Sequence, residues 1–137
     1  MAALKHPIRE AERYLDNARE ILSTKAEKQG DLYHDGKYVR MAGNTAWNGV
    51  LIALNAALNI SKNLKKDQRL SFNDFENALA KHDRKMPGYL KSAYDILHKS
   101  MGYDGIQEYK VVQIGMKRAE MLVEWSDKHF CANLSQS

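Results

Sequence analysis

From Met41 to Ser61 the chain carries no charged side chain, and this run restricts its fold more than any other feature. A run of that length can cross a bilayer as a helix. Its polar residues argue against that use. Asn44, Asn48, Asn55 and Asn59 would all lie in hydrocarbon, together with Thr45 and two glycines, and amides without partners are costly there. The run is instead expected to be one long helix, about Lys37 to Lys62, buried in a soluble bundle. At about 100° per residue, Ala42, Ala46, Gly49, Ala53 and Ala57 make a face of small side chains that lets another helix come close. Gly43 and Gly49 read as packing residues. Trp47, Val50, Leu54 and Leu58 add bulk on one flank. The four asparagines fall within roughly 60° of one another on the remaining side, with Lys37 and Lys62 near the ends of the stripe. Solvent-facing helical positions usually carry Lys or Glu. The stripe Asn44, Asn48, Asn55 and Asn59 is therefore a candidate interface or groove, because buried amides require partners.

Four further helices are expected around this one. The first spans about Pro7 to Lys28, with Pro7 in the first turn and an apolar stripe of Ile8, Ala11, Leu15, Ala18 and Leu22. Gly30 to Gly36 reads as a loop, and Asp35 as the N-cap of the long helix. After a Lys-rich connector from Ser61 to Leu70, a short helix spans about Phe72 to His82. Ser71 and Asp74 are spaced as a capping box, and Leu70 and Phe75 as a hydrophobic staple. The next helix spans about Pro87 to Ser100. It buries Leu90, Ala93, Tyr94, Leu97 and Met101 and stops at Gly102. The last spans about Ile106 to Phe130, capped by Asp104 and Gln107. Its seam is Tyr109, Val112, Met116, Ala119, Val123, Ser126 and Phe130. Residues Cys131 to Ser137 are expected to fray. The expected fold is all-α, a single domain over residues 1–137: an up-and-down four-helix bundle with a short additional helix.

Composition narrows the chemistry. Residues 61–102 hold nine basic and five acidic side chains, which places the whole net charge of +4 in that stretch. Lys62, Lys65, Lys66 and Arg69 form a candidate basic patch, though a solvated surface is the commoner use of such charge. The single cysteine, Cys131, allows no internal disulfide. No apolar signal core fits the first residues, so a cytoplasmic location without membrane attachment is expected. No Glu is followed by a His three residues later, as di-iron bundles require. No His or Cys pair has zinc spacing, and no glycine-rich phosphate loop precedes a helix. Asp31, His34 and Asp35 read as loop and capping residues rather than as a cation site. Cys131, beside His129 at a fraying end, reads as an ordinary thiol. The tyrosines near helix ends, among them Tyr33, Tyr94, Tyr103 and Tyr109, read as residues with one wet edge on a core. No catalytic, cofactor-binding or metal-ligating residue is assigned.

The segment "ERYLDNAREILSTKAEKQGDLYHDGKYVRMAGNTAWNGVLIALNAALNIS", Glu12 to Ser61, resembles the start of HEPN-type (higher eukaryotes and prokaryotes nucleotide-binding) domains. The last helix, "YDGIQEYKVVQIGMKRAEMLVEWSDKHF", resembles their closing helix. More closely, the chain resembles a small bacterial family of HEPN-like proteins without assigned function. The resemblance implies an up-and-down four-helix bundle. Many HEPN-type domains are ribonucleases that dimerise around an Arg followed, after four to six intervening residues, by a His. None of His6, His34, His82, His98 and His129 has an Arg at that spacing before it, so no enzyme activity is carried over. What the resemblance leaves is a non-catalytic binding module, a homodimer or the partner of another protein such as a nucleotidyltransferase. The alternative is a degenerate ribonuclease or nucleic-acid binder using the basic patch.

Overall fold

The uncharged run forms the central helix of an all-α, up-and-down bundle. The computed structural model describes residues 6–60 and 70–135, with side chains described to Phe130. Helix α1 (Pro7–Glu20) opens on His6, whose Nδ1 accepts the Ile8 N–H. Ile8, Ala11, Leu15 and Ala18 are buried along it, as their spacing predicts. The helix does not continue as α-helix to Lys28. It passes into a π-helical segment, Ile21–Ala26, that buries Leu22 and Ala26.

The expected loop after it is partly a tiny antiparallel hairpin. Strands β1 (Lys28–Gln29) and β2 (Leu32–Tyr33) pair Lys28 with Tyr33 and Gln29 with Leu32. Gly30, at φ 64°, supplies the left-handed residue in the turn between them. Helix α2 (Gly36–Leu58) follows, with the Asp35 carboxylate accepting the Lys37 N–H as its cap. It ends at Leu58, four residues before the expected Lys62, and is capped by Asn59, which adopts the left-handed conformation and bonds its N–H to the Asn55 carbonyl.

Helix α3 (Phe72–Ala80) carries the expected capping box, with Ser71 and Asp74 each bonded to the other's backbone N–H. Helix α4 (Met86–Ala93) runs into a second π-helical segment, Tyr94–Met101. Its face is as expected: Leu90, Ala93, Leu97 and Met101 are buried and Tyr94 is half-buried. Gly102 does not stop the helix by a left-handed turn, since its φ is −66°. That conformation falls at Gly105, φ 66°. Helix α5 (Tyr109–Ser135) begins three residues later than the sequence suggests and extends five beyond Phe130. Of its expected seam, Val112, Met116, Ala119, Val123 and Ser126 are buried, while Tyr109 and Phe130 at the two ends are half-buried.

The small face of α2 sits at the centre of the core. Ala42, Ala46, Gly49, Ala53 and Ala57 are all buried. α2 packs against α1, against α5 and against both π-helical segments. At Gly49 a Cβ would stand 3.0 Å from the Tyr14 Cβ and 3.1 Å from the Ala11 carbonyl oxygen. At Gly43 it would stand 2.5 Å from the Leu97 carbonyl oxygen and 2.6 Å from the Met101 Cβ. The two glycines therefore set how close α2 lies to α1 and to the second π-helical segment. Replacing Gly in a helix by Ala normally gains about 1 kcal/mol. Gly43→Ala should instead lose about 1–3 kcal/mol, because backbone must move to admit the methyl group. Gly88→Ala, in α4 with open space around it, should gain up to about 1 kcal/mol. Urea unfolding of the two variants checks the opposite signs.

Candidate functional site

The asparagine stripe does not act as one unit. Asn44 donates its side-chain N–H to the Gly102 carbonyl at 3.1 Å and so fastens α2 to the end of the second π-helical segment. Asn59 is the helix's left-handed C-terminal residue, a role that suits asparagine for conformational reasons. Asn48 is exposed in mid-helix, and Asn55 is half-buried. What α2 does present outward is an uncharged strip of Met41, Thr45, Asn48 and Ile52, with the Met41 side chain 46% exposed. Beside it, Asn17, Glu20, Ile21, Thr24, Lys25 and Thr45 line a shallow hollow of about 370 Å³. The candidate basic patch of Lys62, Lys65, Lys66 and Arg69 lies outside the described residues.

A second feature lies between α1 and α5, and sequence reasoning missed it. The hairpin is held against the start of α5 by bonds from Tyr33 N–H to the Gln107 carbonyl, 2.7 Å, and from Tyr109 N–H to the Asp31 carbonyl, 2.9 Å. The Gln107 side chain donates to the Tyr33 and His34 carbonyls rather than pairing with Asp104 as a helix cap. Under the hairpin is a cleft of about 600 Å³, with Leu22, Tyr33 and Met116 as its buried floor. Tyr33 is only 4% exposed. Its hydroxyl accepts a hydrogen bond from Gln113, and burial pushes its pKa up, an effect that the Gln113 bond partly offsets. The Lys28 ammonium lies 4.0 Å from the centre of the Tyr109 ring.

Two backbone irregularities meet at this cleft. One is the first π-helical segment, which contributes Leu22 and Ser23. The other is Glu27, at φ 50° and ψ 118°, a conformation that costs a non-glycine residue on the order of 1–3 kcal/mol. It is fixed by the His34 N–H, which bonds the Ala26 and Glu27 carbonyls. A second cavity of about 610 Å³ continues along α1 and α5 and shares Arg19 and Glu120 with the first. Arg9 and Arg19 bridge the two helices, Arg9 to Asp127 and Arg19 to Glu120, both at 2.9 Å.

A third cluster gathers rings from α5 and the end of α3. His129 stacks on Trp125 at 4.7 Å and meets His82 edge-on at 4.4 Å. Burial, and secondarily the neighbouring His82, hold the His129 pKa below its ordinary value. Among the described residues no group of three His, Cys, Asp or Glu side chains is placed to hold a metal ion. No described helix is long and apolar enough to cross a membrane.

These observations define an all-α bundle with a hairpin clasped to one end of its last helix. Residues 6–128 match the family described as Domain of unknown function (DUF5618), and the chain belongs to that family. It is similar to a solved protein of unknown function from Dyadobacter fermentans, at 37% identity and a TM-score of 0.79. The match covers 89% of this chain and 93% of that one. No curated protein matches.

Two outcomes follow from these geometries. Asn59→Gly should be neutral or stabilising by up to about 1 kcal/mol, since glycine adopts the left-handed conformation at least as easily. Asn59→Ala should destabilise, and neither change should alter self-association measured by sedimentation. For His129 the unfolded chain takes up a proton before the folded chain does. Stability should therefore be level above about pH 6.5 and fall as the pH drops below it. Denaturant melts across about pH 5 to about pH 8 should show that fall. His129→Phe should flatten it.

Proposed function

We propose that this chain is a non-catalytic interaction module on a HEPN-like frame, and that it pairs with a second copy of itself through the outer strip of α2. The observation that carries this reading is the lack of charge on that strip. Met41, Thr45, Asn48 and Ile52 lie at three- and four-residue steps along one line of α2, about a quarter turn from its small face. A helix facing water usually bears Lys or Glu there. An uncharged strip with an exposed methionine suits a helix-on-helix contact instead. Asn48 can exchange its solvent bonds for bonds with the same residue across a two-fold axis, because an amide both donates and accepts. The absence of the Arg-and-His spacing of HEPN-type ribonucleases supports the non-catalytic half of the reading.

Sedimentation velocity of the full chain tests it. The wild type should sediment as a dimer of the 15.7 kDa chain. Met41→Lys combined with Asn48→Lys should give a monomer with an unchanged helical circular dichroism spectrum, because unpaired charges buried in an interface are costly while exposed ones are tolerated. A wild type that is monomeric at roughly 100 times a micromolar affinity would defeat the self-association reading. A doubly charged variant that remains a dimer would place the contact on another face.

A further inference from the structure

We infer that Arg118 anchors a docking surface where α5 meets α4, and that its occupant is a segment of a partner protein bearing a carboxylate among apolar side chains. The surface is carried by other helices than the outer strip of α2 and does not depend on self-association.

Along α5, Ile114, Arg118, Met121 and Trp125 follow at four-, three- and four-residue steps and so share one face. Arg118 is the charged residue among these four. Its guanidinium lies over the Tyr89 ring of α4, 5.1 Å from the ring centre. Its Nε is shut off from water and has no hydrogen-bond partner. One terminal nitrogen donates to the Met121 sulfur at 3.5 Å, and a thioether is a weak acceptor. A partly buried charge is ordinarily paired. Yet no ion pair forms at Arg118 among the described residues. None of the positions three or four residues from Arg118, or from Tyr89, is acidic. The carboxylates Asp95, Glu120, Glu124 and Asp127 are held by Lys91, Arg19, Lys128 and Arg9. The fold therefore keeps a guanidinium that it does not satisfy, and a buried unpaired donor calls for an explanation.

The surroundings say what kind of group completes it. Tyr89, Met121 and Trp125 are half-buried and Ile114 is 47% exposed. Aromatic residues, Met and Arg are the types enriched where proteins meet, and Lys and Glu are depleted there. A guanidinium laid flat on a ring presents its outer N–H groups as a fork that fits a planar carboxylate. Phosphate-bearing chains are instead held by a row of exposed cations, whereas this stripe sets a single cation between apolar side chains. The matching segment carries one carboxylate with apolar neighbours.

Urea melts and fluorescence anisotropy of the full chain test this. Arg118→Met keeps a side chain over Tyr89 and removes the unpaired charge, so the unfolding midpoint should hold or rise. A lowered midpoint would make Arg118 a structural residue and overturn the inference. A labelled peptide of three Glu-Leu-Leu repeats should bind at up to about millimolar concentration, and its counterpart with Gln for Glu about tenfold more weakly. Arg118→Met and Arg118→Lys should each weaken binding of the Glu peptide about tenfold, since lysine lacks the stacked fork. Arg13→Gln, a guanidinium paired with Glu10 on α1, should leave it unchanged. Failure of the Glu peptide to bind, equal binding of the Gln peptide, or an equal loss on Arg13→Gln would each overturn the inference. A single-stranded oligonucleotide that bound more tightly than the peptide and lost as much on Arg118→Met would assign the site to phosphate. A dimer that dissociated on Arg118→Met in sedimentation would seat a second copy there. Either result overturns the partner segment.

Discussion

The arrangement depends on backbone meeting side chain where α2 has no side chain of its own. Gly43 lets the Leu97 carbonyl and the Met101 Cβ come within a distance that a methyl group would forbid, and Gly49 lets Ala11 and Tyr14 come so near that a methyl group would crowd them. With Ala42, Ala46, Ala53 and Ala57 completing that side, α2 becomes the post around which the other helices stand. Close approach multiplies dispersion contacts and removes both surfaces from water. Position therefore matters more than bulk. A helix this lean can be central only if its neighbours supply the large residues, which Ile8, Leu15, Leu90, Leu97 and Leu122 do.

Elements governed by local rules could be read from the sequence. Asp35 caps α2, Ser71 and Asp74 form the capping box of α3, and the stripes of α1, α4 and α5 are buried as their spacing requires. The hairpin could not be read, because it is held by bonds to residues far along the chain, Gln107 and Tyr109. Gln107 fitted a cap by spacing, yet its amide goes to the hairpin instead. The π-helical segments coincide with a change in the spacing of buried residues. Buried positions in α1 step by three and four from Ile8 to Ala18, then by four and four through Leu22 to Ala26. In the fourth helix the steps also become four and four, from Ala93 through Leu97 to Met101. A four-residue step overshoots a turn of 3.6 residues by about 40°. The same double step runs from Gly49 through Ala53 to Ala57 in α2, which is regular α-helix, so spacing alone does not mark a π-helical segment.

The candidate site shows the same division. Asn44, Asn48, Asn55 and Asn59 share a helical face, and helical geometry alone groups them. Tertiary structure then separates them: Asn44 goes to a carbonyl on another element, Asn59 to a left-handed cap, and Asn48 to the surface. The groove between α1 and α5 is spread over residues more than 100 positions apart, as Arg19 and Glu120 are. Nothing in either segment alone marks it. Glu12 and Asp16, and separately Glu120, Glu124 and Asp127, read as ordinary solvated helix surface until α1 and α5 are laid side by side.

The two sides of α1 explain why the groove exists. Toward α2 it meets a glycine, so the helices close to backbone contact at Ala11. Toward α5 the buried contacts include Leu15 and Val123, and beyond them the helices are joined by Arg9 and Arg19, two of the longest side chains available. A guanidinium can span a gap that short side chains would have to close. α1 is thus drawn toward α2 by the lack of side chains there and held at arm's length from α5 by their length. The hairpin deepens the gap at one end, because its clasp on the start of α5 sets β1 and Lys28 above the space between the helices. The strained Glu27 lies where the chain leaves the widened end of α1 to make that crossing.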